Sequence, residues 1–157
     1  MPTLFEPNHE QRLDALHERL RGAGTLTPEL MVQLMGDAGL RLQAQHPTAK
    51  ARIVRLIEFG AFADATLKLL ELELPQWKLR RLVHEDGEWH CALSRQLALP
   101  AELDDMAEGR HEDLSLAILD TFVEARRRRF AASRLQPRSV PRVGPARGHV
   151  VCCDNFC

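Results

Sequence analysis

Tyrosine is absent from this 157-residue chain, tryptophan occurs twice and phenylalanine six times. So thin a set of aromatics disfavours the stacking platforms on which single-stranded nucleic acids are held. No apolar run approaches the roughly 18 residues of a membrane-spanning helix, which excludes that class of anchor. Cysteine is nearly missing from the first 150 residues, where Cys91 stands alone, while Cys152, Cys153 and Cys157 crowd the end. That distribution reads as free thiols and not as a disulfide framework. The start, Met1-Pro2-Thr3-Leu4, has neither the basic nor the apolar region of a secretory leader, so the expected compartment is the cytoplasm. Also missing are the G-x-S-x-G, P-loop, G-x-G-x-x-G and H-E-x-x-H patterns, and no cofactor or metal is expected.

What is present is a division of charge. Residues 1–125 hold 13 Lys and Arg against 21 Asp and Glu, a net of −8, whereas residues 126–157 hold 8 Arg against Asp154 alone, a net of +7. The near-neutral total therefore joins an acidic, periodically apolar body to an Arg-, Pro- and Gly-containing extension with little to bury. Residues 1–132 are expected to form a single α+β domain and 133–157 a flexible basic tail.

Helical signals fill the first half. Asn8 with Gln11 precedes Leu13, Leu16 and Leu20 and predicts a helix over about 9–22, stopped by Gly22 and Gly24. Thr27 before Pro28 opens a second helix toward residue 45, and Thr48 opens a third that carries Ile53, Leu56 and Ile57 to a break at 59–60. Phe62, Ala65, Leu69 and Leu72 mark a fourth, ended by Pro75.

Two β-type runs then flank Glu85-Asp86-Gly87-Glu88 and predict an antiparallel hairpin over about 77–84 and 88–95. A two-residue Asp86-Gly87 loop would divide the tryptophans between faces. A three-residue loop with Gly87 in a bulge position gathers Trp77, Leu79, Val83, Trp89, Cys91 and Leu93 on one side, and this is the expected register. The outer face then carries Lys78, Arg80, His84, Glu88, His90 and Ser94, with Leu82 as the single large apolar intruder. Pro100 and the acids after it read as a loop or short helical turn. A final helix over about 112–130 is expected to cover the hairpin: Glu112 and Asp113 suit its start, Leu114, Ile118, Phe122 and Ala125 form its stripe, and Arg126 to Arg129 suit its end.

Candidate sites are few. Arg126, Arg127, Arg128, Arg129 and Arg134, followed by Arg138, Arg142 and Arg147, form a row suited to neutralising phosphates, with Lys78, Arg80 and Arg81 as possible help; the plainer reading is a solvated helix end. Cys152, Cys153, Cys157 and His149 have thiolate chemistry but no spacing for a tetrahedral metal site. His84 and His90, with Glu88 opposite, invite an acid/base reading that an ordinary polar strand face explains as well. Asp104, Asp105, Glu108, Glu112 and Asp113 match no calcium loop. Cys91 reads as a small buried hydrophobe.

Residues 56–126, with Pro75 before Trp77, Asp86-Gly87 before Trp89, and the stripe from Leu114 to Ala125, resemble a set of uncharacterised bacterial proteins and, more loosely, small phage-type domains arranged helix, strand, strand, helix. The resemblance implies a fold and no activity. The function expected is a non-enzymatic interaction or structural module acting through its hairpin surface (Lys78, Arg80, His84, His90), bound to a protein partner or to itself. The alternative is a nucleic-acid-associated protein that holds phosphates through the arginine row.

Overall fold

The computed structural model describes residues 9–37 and 47–135. Within them lie α1 (His9–Gly22), α2 (Pro28–Asp37), α3 (Pro47–Glu58), α4 (Phe62–Glu73), β1 (Lys78–Glu85), β2 (Glu88–Ser94), a 3₁₀ turn (Ala101–Leu103), β3 (Ala107–His111) and α5 (Leu114–Leu135). This is an α+β fold in which α5 packs on a three-stranded antiparallel sheet of order β1-β2-β3. The expected continuation of the second helix to residue 45, the expected tail beyond 135, and His149, Cys152, Cys153 and Cys157 lie outside the described residues.

Each helix starts and stops for a local reason. The Thr27 hydroxyl accepts the Leu30 amide at 3.2 Å and caps α2. Gly60, at φ 72, turns the chain between α3 and α4, a left-handed conformation that costs a side chain roughly 1 kcal/mol or more. Asp113 caps α5 by accepting the Leu116 amide at 3.0 Å. His111 supports that cap: its Nδ1 accepts the Asp113 amide at 2.9 Å, which leaves Nε2 to carry the hydrogen and donate to the Ala23 carbonyl at 2.8 Å. One imidazole thus ties β3 to the loop after α1.

The hairpin departs from the expected register. Glu85 faces Glu88 across a two-residue loop, and Asp86 and Gly87 both have positive φ, 53 and 84, as a type I′ turn requires. The same register continues through His84↔Trp89, Val83↔His90, Leu82↔Cys91 and Arg81↔Ala92, then shifts at a bulge so that Leu79 faces Leu93 and Lys78 faces Ser94. Arg80 is the extra residue. The expectation from amphipathicity assumed one continuous register; the bulge reverses the alternation midway, so that a tight turn and a buried Trp77 coexist. Val83 therefore lies on the outer face and Leu82 on the inner one, while Leu79 stays 41% exposed.

A third strand fills the edge of β2 that a lone hairpin would leave open. Residues 107–111 read as the approach to a helix, since Glu108-Gly109-Arg110 has no strand propensity. Gly109 pairs with Cys91, and a Cβ placed on it would lie 2.7 Å from the Thr121 backbone nitrogen. The missing side chain is what admits α5 to the sheet.

Two apolar clusters result. The larger gathers Leu13, Leu16, Leu20, Met31, Leu34, Ile53, Ile57, Leu69, Trp77, Leu93, Leu116, Leu119 and Phe122 among helices and sheet; the smaller sets Cys91 with Ala117 and Ile118, flanked by Leu67, Leu82 and Trp89. Residues 116–123 of α5 are buried on every side, as the central helix of the fold.

Candidate functional site

Sequence places Lys78, Arg80, His84 and His90 on one outer face; the structure separates them. His84 stands opposite Trp89, on the side that packs toward α5, with the two rings 5.0 Å apart. His90 stands opposite Val83 on the other side, between Val83 and Arg110. Glu88 faces Glu85 and not His84. The two histidines thus belong to opposite faces and form no acid/base pair. Arg80, at the bulge, donates to the Asp104 carboxylate at 2.9 Å and to the Leu99 carbonyl at 2.7 Å, fastening the bulge to the segment after β2. Lys78 is exposed at the strand's start.

The arginine row is also engaged within the molecule. Arg126, buried in α5, meets the buried Glu73 of α4 at 3.1 Å and lies over the Phe122 ring. Arg127 joins Asp14 of α1 at 2.8 Å and Glu124 at 3.1 Å, Arg128 joins Glu124 and Asp105, and Arg129 donates to the Glu73 carbonyl. These cations pin α5 to α1, α4 and the segment before β3. Arg134 lies in the last turn of α5, and its side chain is outside the described residues. No group of three His, Cys, Asp or Glu among the described residues is placed to hold a metal ion. Nor do the carboxylates converge: Asp104 serves Arg80, Asp105 serves Arg128, Asp113 caps α5, and Glu108 and Glu112 are exposed.

The geometry offers two surfaces. The first is the free edge of β1. This eight-residue strand pairs with β2 alone, and among the described elements only β2 makes an extensive contact with it. In a two-residue hairpin the pair beside the loop exchanges both backbone hydrogen bonds and the pattern alternates from there. Glu85, Val83 and Arg81 therefore bond to β2, and Leu82 and His84 turn their N–H and C=O outward. The bulge at Arg80 limits the straight part of this edge to Arg81–Glu85.

The second is a cleft of about 500 Å³ at the other side of the sheet, where His17 and Arg21 of α1, His90 of β2, Glu108, Gly109 and Arg110 of β3, and Asp120 and Glu124 of α5 meet. His17 Nδ1 and Asp120 Oδ1 stand 3.0 Å apart, out of line for a hydrogen bond, and both atoms are buried with no hydrogen-bond partner. Burial pushes the Asp120 carboxyl up from its ordinary value, against the pull of His17, Arg21 and His111 and with the push of Glu124. Cys91 also borders the cleft, but burial pushes its thiol up as well, the reverse of what a nucleophilic cysteine needs. Sequence reasoning missed this cleft because His17, Arg21 and Asp120 lie on helices about a hundred residues apart and only the unforeseen β3 joins them.

Compared with known protein families, curated proteins and solved structures, the chain matches none. No helix among the described residues is long and apolar enough to cross a membrane.

Proposed function

We propose that this protein is a non-enzymatic interaction module that makes contact by adding a strand to the free edge of β1, and that the strand it adds is β1 of a second copy. The observation that carries this reading is the composition of the edge about its own centre. Antiparallel pairing of two copies around Val83 sets Leu82 opposite His84, the two residues whose backbone groups face outward, so that each such pair exchanges two hydrogen bonds. The same register sets Arg81 opposite Glu85 twice, once on each side of the two-fold axis. Within one chain these two side chains already meet at 3.2 Å, both more than half exposed, so exchanging partners across the axis needs little rearrangement.

The phosphate-binding alternative draws no support from Arg126 to Arg129, whose guanidiniums are engaged with Glu73, Asp14, Glu124 and Asp105. Replacing His84 by proline tests the preferred reading. Proline there removes an outward N–H and leaves the β1–β2 ladder intact. Sedimentation is expected to give a dimer for the native chain and a folded monomer for His84→Pro. A native chain that stays monomeric at high concentration refutes it.

A further inference from the structure

The cleft on the β3 side of the sheet has no part in that reading and stands on separate observations. Two of its guanidiniums, Arg21 and Arg110, have no hydrogen-bond or ion-pair partner among the described residues, although both border this cleft and its neighbour around Gly22, Ala23 and Gly24. Facing them is Asp120, whose side chain is 8% exposed and whose Oδ1 lacks a hydrogen-bond donor. A buried carboxylate oxygen without a donor is costly, and guanidiniums held at a cleft mouth without acceptors are poised for one.

The signs of these charges select the ligand. A simple anion drawn to Arg21 and Arg110 meets Asp120, Glu108 and Glu124 in the same cleft, and a simple cation drawn to Asp120 meets the guanidiniums. A molecule that carries both charges a few ångströms apart satisfies both sets. We propose that the cleft binds a small zwitterion, a free α-amino acid, with its ammonium donating to Asp120 Oδ1 and its carboxylate accepting from Arg110 and Arg21. The volume of about 500 Å³ leaves room for a side chain beside His90.

The test is a ¹H–¹⁵N NMR titration with a mixture of the twenty standard L-α-amino acids at millimolar concentration, divided until the active member is found, with acetate and methylammonium as single-charge controls. Saturable shifts at Gly109, Arg110 and Asp120 are expected from an amino acid, and affinity for either control at least tenfold weaker. Arg110→Ala alters an exposed side chain and leaves the core untouched; it is expected to weaken binding about tenfold or more, the value of one charge-assisted hydrogen bond. Asp120→Asn keeps the shape and is expected to weaken binding similarly. No saturable shift with any amino acid, equal response to acetate or methylammonium alone, or undiminished binding by Arg110→Ala each overturns the proposal. The titration is repeated in His84→Pro, so that failure at the β1 edge and failure here are read separately.

Discussion

Gly109 shows how a single residue type sets the spacing of the fold. A methyl group there would meet the Thr121 hydroxyl at 2.6 Å, the Thr121 backbone nitrogen at 2.7 Å and Asp120 Oδ2 at 3.0 Å, and the helix backbone among these has no room to yield. Gly109→Ala is expected to lower stability by about 1–3 kcal/mol, the cost of overpacking, measured as a fall in the urea midpoint. Asp120 makes a second prediction at this scale. Its carboxyl holds its proton more tightly in the folded chain than in the unfolded one, so it favours folding below its ordinary value of 3.8, and that contribution is lost as pH rises through the folded value. Asparagine cannot lose a proton. The native chain should therefore lose stability relative to Asp120→Asn as pH climbs from 3.8 and run parallel above the folded value, read in urea melts below about pH 5.5, where the facing His17 and His111 keep a constant charge. A pH-independent difference between the two contradicts the assignment.

Elements were legible where one local pattern decides them. Leu13, Leu16 and Leu20 mark α1 by spacing alone, Thr27 caps α2 as its side-chain chemistry demands, and the stripe from Leu114 to Phe122 locates α5. Legibility failed where a distant element decides. β3 exists because β2 needs a partner and α5 needs a glycine beneath it, neither of which is written in Ala107 to His111. The hairpin was recognised from Asp86-Gly87, but its register turns on a bulge held by Asp104 and Leu99, some twenty residues from Arg80. The arginine run was seen as free charge because its acids, Asp14, Glu73 and Asp105, come from three other parts of the chain. Of these contacts the buried Arg126–Glu73 pair matters most to stability, since exposed pairs contribute about 0–1 kcal/mol. Arg126→Met leaves Glu73 buried with one cation fewer and is expected to cost about 3 kcal/mol, while adding Glu73→Leu should recover most of the loss in chemical denaturation. A single substitution without effect would show that the pair does not join α4 to α5 in solution.

At the scale of the whole molecule, the sheet has one edge built over and one left available. β3 packs closely on α5, and its end is tied through His111 to the loop after α1. β1 has only its bulge, Lys78 and Arg81 against unwanted pairing, devices that restrict an edge without closing it. An edge with a self-complementary charge pattern about its centre favours its own copy over other strands. Charge exchange between two variants tests this most directly. Arg81→Glu sets two like-charged pairs across the proposed axis, and Glu85→Arg does the same with the opposite sign; each alone is expected to weaken the dimer on the order of tenfold. Mixed in equal amounts, the two variants restore both opposite-charge pairs, and sedimentation velocity should show the dimer return as a heterodimer. A mixture no more associated than its separate components would contradict the account.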